Sequence, residues 1–327
     1  MTRKQTPNAE QFALRPLHAS DFEAVVALDG RLSGTDRRGF FQKRLTAASA
    51  DPSDYVYVAL TADEKLAGFA MARLIDGEFG TPGARAQLDA FGVDPGHQHH
   101  GAGHLLIDEG RAVLGHKKVS TMESQIAFRD RALLGFFGEV GFRLAPRLIL
   151  GRSTEKLPLV APEANDAVSE PDYGEPGESL EFERVPVRSM SKDDLGALAR
   201  IDAKLIGQMR PDYFARKYRQ IVTESGVRVS LIAEQDDAPV GFIMARVDFG
   251  SFGRAMPGAV IDTLGVDPGY QGKNIGHALM SRLIDNLSVL RVEAITTEIA
   301  WNQTALAAFL SDVGFRPAQR VSLIAEV

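Results

Sequence analysis

The sequence predicts an α/β protein made of two tandem copies of one domain, each a mixed, mostly antiparallel sheet flanked by helices on both faces. A glycine-rich segment at residues 92–104 recurs at 265–277, an offset of 173 residues. Gly141 near the end of the first copy and Gly314 near the end of the second keep the same offset. A shift that stays constant between distant landmarks indicates a duplication without net insertion.

Size and composition suit a two-domain globular protein. With 327 residues, 44% hydrophobic and 24% charged, each copy is long enough to bury its own core. Cysteine is absent, which excludes disulfides, thiolate metal ligands and cysteine nucleophiles. Residues 1–8 lack the apolar run of a signal peptide, and no run is long enough to span a bilayer. We therefore expect a cytoplasmic protein that contacts no membrane.

Charge and composition place the domain boundaries. Residues 155–183 carry nine acids, one base and four prolines, a pattern typical of an extended linker. We expect an N-terminal domain at 11–154 and a C-terminal domain at 184–327. The whole chain has a net charge of −6 and the linker alone −8, so the two domains together are close to neutral. That balance argues against a nucleic-acid partner.

The elements of the first copy follow from capping and alternation patterns. Ser20 and Glu23 have the spacing of a capping box that opens a helix. The expected elements are a strand at 12–17, helices at 20–31 and 36–48, strands at 55–60, 66–74 and 86–93, a helix from Gly101, a strand at 118–126, a helix at 129–139 and a strand at 142–150. The same order is expected in the second copy, where Ser191 and Asp194 mark the matching helix start.

A turn followed by small residues ends the strand at the glycine-rich segment of each copy. Asp267, Pro268 and Gly269 force a turn, because proline fixes φ and glycine tolerates positive φ. The residues up to Gly276 place successive backbone amides at the first turn of an apolar helix, where the helix dipole favours an anion such as a pyrophosphate. Neither the Walker nor the Rossmann spacing of glycines is present.

The pattern Val-x-Pro-x-x-Gln-x-x-Gly-x-Gly, between a strand and a helix, resembles the acetyl-CoA signature of the GNAT superfamily of N-acetyltransferases. A later stretch from Asn302 through Phe309 to Gly314 is similar to a second motif of that family, and the first copy has Arg129 in place of the asparagine. The order of elements is also that of the family, so the resemblance covers both copies. It implies acetyl-CoA as the acyl donor, a small-molecule or peptide amine as the acceptor, and no metal.

The resemblance also implies which residues contact the coenzyme. The strand before each loop offers backbone pairing to the pantetheine arm, and the loop amides hold the diphosphate. In the first copy these residues are Phe91, Gly92, Val93, Gln98, His99, His100, Gly101, Ala102, Gly103 and His104. In the second copy they are Leu264, Gly265, Val266, Gln271, Gly272, Lys273, Asn274, Ile275, Gly276, His277 and Asn302.

The candidate catalytic groups are Asp89 and Asp262, at matching positions on the strand before each loop. An amine must be neutral to attack a thioester, yet an alkylamine stays protonated up to about pH 10. A carboxylate acting as general base, directly or through water, removes the proton. Period-two alternation places Asp89 on the face of Val93, towards the acceptor cleft. The alternative is that both acids face solvent or pair with Arg85 or Arg254.

Both copies depart from the family pattern. Asn274 stands where the loop usually has glycine, and asparagine tolerates left-handed backbone geometry. The tyrosine that is thought to protonate the leaving thiolate in the family is replaced by Phe137 and Leu310. Water or another group must then supply that proton.

Three functions stay open on the sequence. The chain is a transferase with one or both copies active, a catalytically degenerate CoA-binding module, or a structural pair of domains that holds a protein partner. We expect a monomer that is a pseudo-dimer of its two domains, or a homodimer. Histidines at 97, 99, 100 and 104 suggest a metal site, but only His104 has a counterpart, His277, so no metal is expected.

Overall fold

A computed structural model describes residues 12–81, 83–155, 185–224, 227–249 and 257–327. The linker expected at 155–183 lies outside these ranges except for Glu155. The described residues form two seven-stranded mixed sheets flanked by helices, so the predicted fold class is confirmed. Within the described ranges, no helix is long and apolar enough to cross a membrane.

The first copy has the predicted order of elements. They are β1 (Ala13–Pro16), α1 (Phe22–Ser33), α2 (Arg38–Ala50), β2 (Tyr55–Ala62), β3 (Lys65–Asp76), β4 (Ala84–Val93), α3 (Ala102–His116), β5 (Thr121–Ala127), α4 (Arg131–Glu139), β6 (Arg143–Leu144) and β7 (Arg147–Ser153). The predicted capping box at Ser20 and Glu23 is wrong. The His18 amide donates to Asp21 Oδ2 at 2.8 Å instead, because a 3-10 turn precedes α1.

The second copy repeats this order. Its elements are β8 (Val187–Ser189), α5 (Leu195–Ile206), α6 (Pro211–Glu224), β9 (Leu231–Gln235), β10 (Ala238–Phe249), β11 (Pro257–Val266), α7 (Ile275–Val289), β12 (Ala294–Ala300), α8 (Thr304–Asp312), β13 (Arg316–Pro317) and β14 (Arg320–Glu326). Here the predicted helix start is confirmed, since the Ser191 amide donates to Asp194 Oδ2 at 2.7 Å. Arg188 pairs with Asp194 as well and, together with the Ser191 bonds, lowers the pKa of that carboxyl to about 2.

The last long strand of each copy lies in the other copy's sheet. The segment predicted as one strand at 142–150 divides into β6 and β7 at Pro146, which has no amide to donate to a ladder. The strand orders are β1-β2-β3-β4-β5-β14-β6 and β13-β7-β12-β11-β10-β9-β8. Each sheet therefore contains a strand from both halves of the sequence. A strand pattern specifies which face is apolar, but it does not specify the pairing partner.

A contact between equivalent residues marks a local twofold axis between the copies. Gln125 on β5 and Glu298 on β12 are 173 residues apart, which is the offset of the duplication. Gln125 Nε2 donates to Glu298 Oε2 at 2.8 Å. Equivalent positions of two related units touch each other only beside the axis that relates them. The two copies are thus arranged as the halves of a symmetric dimer.

The exchanged strands contribute to the cores they join. In the first copy, one hydrophobic cluster lies under α1 and α2 around Phe41, and another lies under α3 around Leu106. Leu323 of β14 belongs to the cluster under α3, although it comes from the second copy's sequence. Leu150 of β7 belongs in the same way to the core of the second copy. Each core therefore needs a side chain from the opposite half of the chain.

Truncation of an exchanged strand is expected to destabilise the opposite copy. Leu323→Ala should lower the free energy of unfolding by about 2–5 kcal/mol, because it leaves a cavity in the first core. Hydrogen exchange should then show lost amide protection in β5, and the matched variant Leu150→Ala should show it in β12. Loss confined to the copy that carries the substitution in its sequence would contradict the strand exchange.

Candidate active site

The two parallel central strands of each sheet separate at the candidate site. The parallel ladder between β4 and β5 ends at the pair Leu88 and Ser124, and that between β11 and β12 ends at Ile261 and Thr297. Residues 89–93 and their counterparts continue without a ladder partner on that side, as expected from the sequence. An unpaired strand edge of this kind accepts an extended ligand by main-chain hydrogen bonds.

A β-bulge stands at the point where the strands part. The pairing of β3 with β4 steps from Met71–Ala90 to Ala72–Leu88, so Asp89 is the extra residue, and Asp262 occupies the same place in β11. A bulge shifts the alternation of side chains. Val93 packs under α3, whereas Asp89 pairs with Arg44 of α2 on the opposite face. The prediction that Asp89 and Val93 share a face is therefore wrong.

Both bulge aspartates are buried in ion pairs with equivalent bases. Asp89 Oδ2 lies 2.8 Å from Arg73 Nε and 3.3 Å from an Arg44 NH2 group. Asp262 pairs with Arg246, the equivalent of Arg73. Lys217 is the equivalent of Arg44, and its Nζ lies 3.8 Å from Asp262 Oδ2. Sequence reasoning missed these four bases, although their recurrence at the common offset was a readable signal.

The two loops after the parting strands share one backbone conformation. His99 and its counterpart Gly272 have φ of 63° and 76°, and Gly101 and its counterpart Asn274 have φ of 83° and 59°. Each loop thus needs two left-handed residues and fills one with glycine and one with another residue. The prediction that Asn274 adopts left-handed geometry is confirmed.

The loop amides are available to an anion. In the described ranges, no backbone amide of residues 98–101 or 271–274 donates to a protein acceptor. Helices α3 and α7 begin immediately afterwards, at Ala102 and Ile275. Free amides together with the positive end of a helix dipole form a site for phosphate groups.

Side chains hold each loop in place. Gln98 Nε2 donates to the Val93 carbonyl at 3.0 Å, and Gln271 Nε2 donates to the equivalent carbonyl of the second copy at 3.3 Å. The Gly96 amide and Arg31 keep the pKa of Asp94 below its usual value. The second copy repeats this with Asp267, whose pKa is lowered by Lys204 and the Gly269 amide. Gln98 and Gln271 therefore fix the loops by their side chains.

Aromatic rings lie against the first helical turn in both copies. A Cβ on Gly103 would stand 2.8 Å from the Phe136 ring, and one on Gly276 would stand 3.0 Å from the Phe309 ring, so a larger residue at either position would have to displace the ring. Phe91 stacks on Phe136 at 5.3 Å between centroids. The second copy has Leu264 at that place and lacks this stack. The cleft walls of the two copies consequently differ.

The remaining predicted positions fall in two places. Arg129 and Asn302 are exposed, each one position after an exposed aromatic residue at the end of β5 or β12. Phe137 and Leu310, at the tyrosine position of the family, are fully buried core residues. No acid can act from those two positions. Within the described ranges, no group of three or more His, Cys, Asp or Glu residues is placed to hold a metal ion.

A cavity lies between the two copies at the local twofold axis. Five pairs of equivalent residues line it: Arg73 with Arg246, Gln87 with Val260, Leu88 with Ile261, Asp89 with Asp262, and Gln125 with Glu298. Both bulge aspartates thus border one shared space. Asp262 Oδ2 is buried there without a hydrogen-bond partner among the described residues.

Comparison with known families decides the relationship. The model of the Acetyltransferase (GNAT) family matches residues 15–142 and 195–315. The chain belongs to the GNAT acetyltransferase family. The two matched regions are the two copies, so this is a tandem GNAT protein. Members of the family generally use acetyl-CoA to acetylate amines. No curated protein matches the chain significantly.

Solved structures share the fold at low sequence identity. A tandem GNAT protein from the clavulanic acid biosynthesis pathway has a TM-score of 0.65 and 15% identity, over 97% of this chain and 98% of that one. A GCN5-related N-acetyltransferase from Sphaerobacter thermophilus has a TM-score of 0.60 and 16% identity, over 96% and 95%. A GCN5-related glucosamine N-acetyltransferase region in a fungal β-N-acetylglucosaminidase has a TM-score of 0.64 and 15% identity. It covers 96% of this chain, which spans 38% of that longer one.

Removal of the left-handed histidine should stabilise the first loop. His99→Gly is expected to raise the free energy of unfolding by about 1 kcal/mol, because glycine adopts positive φ without the cost paid by other residues. The control His100→Gly lies at a position without positive φ and should lower it by about 0.5–1 kcal/mol. Thermal unfolding of the ligand-free protein measures both. Equal effects of the two variants would contradict the loop conformation.

Proposed function

We propose that this GNAT protein is an acetyl-CoA dependent N-acetyltransferase that moves an acetyl group to a primary amine of a small-molecule or peptide acceptor. The observation that carries the proposal is the parting of β4 from β5 and of β11 from β12, each beside a loop of free amides. The same pair of features stands in both copies. It is the arrangement that an extended arm ending in phosphates requires.

The residues present fit a coenzyme thioester. The loop amides of 98–104 and 271–277 would hold the diphosphate, with exposed His100 and Lys273 beside them. The unpaired edges at Phe91–Val93 and Leu264–Val266 would pair with the pantetheine arm, and Asn302 would add a polar contact in the second copy. When bound, the group supplies an acetyl carbon that an amine can attack.

The chemistry on the protein side is removal of one proton. The attacking amine forms a bond to the acetyl carbon and loses a proton to a carboxylate, and the C–S bond breaks. We keep Asp89 and Asp262 as the proposed bases, because both border the cavity at the strand parting. Asp262 Oδ2 accepts no hydrogen bond from the described residues, although Lys217 Nζ lies 3.8 Å away, and this supports the role. Because Phe137 and Leu310 stand at the family's tyrosine position, water or another group protonates the leaving thiolate.

Negative charge beside the loop amides should weaken coenzyme binding. His100 and Lys273 are equivalent and exposed, so His100→Glu and Lys273→Glu change the charge without disturbing a core. Each is expected to abolish one of two binding sites for CoA, or to weaken it at least about tenfold, which corresponds to 1.4 kcal/mol. Isothermal calorimetry of the parent, the single variants and the double variant measures the number of sites.

Lys118→Glu is the matched control. This exposed residue follows the C-terminal end of α3, at the far end from the loop, and its substitution should leave both sites intact. If the double variant binds CoA as the parent does, the loops do not hold the diphosphate. Calorimetry without any binding heat for the parent would remove the proposed function altogether.

Removal of a bulge carboxylate tests whether that aspartate acts in catalysis or only stabilises the fold. Asp262→Asn is expected to lower kcat for an amine selected from a panel by about 10²–10⁴-fold, with a smaller change in KM. It should also cost stability, about 3–5 kcal/mol, because Arg246 then remains buried without its counter-ion. The same variant at Asp89 tests the first copy. An unchanged kcat and pH profile per folded molecule would assign these aspartates a purely structural role.

A further inference from the structure

One loop of the first copy lies on the second copy, beside its bulge aspartate. Residues Gly77–Gly80, which we call the crossing loop, connect β3 to the segment before β4. The crossing loop contacts the end of α5, the start of α6, strand β11 and the residue before α8. Strand β11 carries Asp262, and helix α6 carries Lys217, whose Nζ lies 3.8 Å from Asp262 Oδ2. The corresponding loop of the second copy, at 250–256, lies outside the described residues.

Two side chains of the second copy donate hydrogen bonds to the backbone of the crossing loop. An Arg210 NH1 group donates to the Gly77 carbonyl at 2.5 Å, and Gln303 Nε2 donates to the Phe79 carbonyl at 2.8 Å. A Cβ on Gly77 would stand 2.8 Å from the Tyr213 ring, and one on Gly80 would stand 2.7 Å from Ile206. Both glycines also have positive φ. Glycine is therefore required at both ends of the loop.

The side chain of Glu78 reaches the second copy's ion pair. Its Oε1 lies 2.5 Å from Lys217 Nζ, the base that also approaches Asp262 at 3.8 Å. Its Oε2 lies 3.2 Å from Arg85. Burial opposes ionisation, but the two bases outweigh it and keep the pKa of Glu78 well below its usual value. A charged residue of the first copy thus completes the surroundings of Asp262.

The side chain of Phe79 fills space in the second copy. It is 9% exposed, and it belongs to the same hydrophobic cluster as Ile261 and Ile299 of the second copy. It also forms part of the cavity wall near Asp262. Its φ of 48° costs about 1–2 kcal/mol for a residue other than glycine, which its packing has to offset. The ring is held in a strained position at the place where a second-copy acceptor would approach.

We propose that the crossing loop determines which acceptors reach the second copy, an inference that rests on the proposed function. It closes the approach between α5, α6 and β11. The cavity on the local twofold axis is then the space that remains beside Asp262. The cavity wall holds four acids (Glu78, Asp89, Asp262, Glu298) and three bases (Arg73, Arg85, Arg246), and two further buried bases, Arg44 and Lys217, pair with these acids. The acceptor class that fits is a small, polar primary amine, and Phe79 excludes larger nucleophiles.

Two nucleophiles of different size test this assignment on bound acetyl-CoA. The background variant His100→Glu leaves the second copy as the loaded site. Hydroxylamine attacks the acetyl carbon through nitrogen and releases CoA as its thiol, giving acetohydroxamate. The thiolate of glutathione attacks the same carbon and exchanges with CoA, giving S-acetylglutathione. With the protein in excess over acetyl-CoA, chromatography of the products gives both rates.

The expected result is a selective effect of the ring. Phe79→Gly should accelerate the glutathione reaction of bound acetyl-CoA at least about tenfold, while the hydroxylamine rate changes less than about twofold, because a steric filter acts on the larger reactant. Phe79→Leu, which keeps most of the volume, should resemble the parent. Equal glutathione rates in the parent and Phe79→Gly would overturn the proposal. So would a parent whose bound acetyl-CoA resists hydroxylamine, because the cavity then gives no access.

Calorimetry distinguishes failure of this inference from failure of the proposed function. Binding of acetyl-CoA by the His100→Glu protein with no difference between nucleophiles contradicts the filter alone. Absence of binding with either residue at position 79 contradicts both. Binding only in Phe79→Gly would show that the ring fills the coenzyme path, which overturns the acceptor assignment.

A second variant controls for any effect of Phe79→Gly on folding. Glycine suits the positive φ at position 79, so Phe79→Gly relieves strain as it removes the ring, and thermal unfolding monitors the balance. Gln303→Ala leaves the loop sequence intact and removes one of its anchors, the bond to the Phe79 carbonyl. It should raise the glutathione rate in the same direction by a smaller factor. No change in the glutathione rate from either folded variant would reject the filter.

Discussion

The pairing of β14 with β5 and of β7 with β12 is the constraint on which the rest of the molecule depends. It places a strand from each half of the chain inside the other half's sheet, and it brings Gln125 against Glu298 on the local axis. Because the sheets are held in this way, the two bulge aspartates border one cavity, and the crossing loop reaches the second copy. The shared cavity is therefore a product of strand pairing, and neither copy would possess it alone.

The buried ion pairs are repeated at equivalent positions in both copies. Each bulge aspartate is accompanied by a base from the neighbouring strand and a base from the adjacent helix. Paired ions of this kind are costly to desolvate, so their repetition in both copies points to a requirement for a carboxylate at the strand parting. The symmetry breaks at the crossing loop, where Glu78 adds a second carboxylate to the ion-pair cluster of Asp262, Lys217 and Arg246. The two copies thus offer different surroundings to an acceptor.

The sequence was informative wherever the physics is local. The offset of the repeat, the turn residues and the tolerance of asparagine for positive φ predicted both loops and the left-handed Asn274. The sheet class and the order of elements followed from periodicity. The face of Asp89 could not be predicted, because one inserted residue in a strand reverses the alternation. The capping box of the first copy uses His18 and Asp21, a pair two residues earlier than the pattern suggested.

Contacts between residues that are distant in the sequence could not be predicted. The strand exchange and the contacts of the crossing loop with the second copy join residues more than a hundred positions apart, such as Gln303 and Phe79. A single sequence gives no pairing preference for such contacts. The matching bases Arg73 and Arg246, and Arg44 and Lys217, were visible in the repeat. A systematic comparison of the copies at the common offset would have identified them as partners of the aspartates.

Reciprocal strands also make the length of the connection between residues 155 and 185 relevant to assembly. Two chains that traded halves would form the same two sheets twice, with every strand contact kept. The balance between a closed single chain and such an interlocked pair then depends on the effective concentration that this connection imposes, which falls as a flexible connection lengthens. A connection too short to let the two halves of one chain pair would favour the interlocked pair of chains, although no core residue would change.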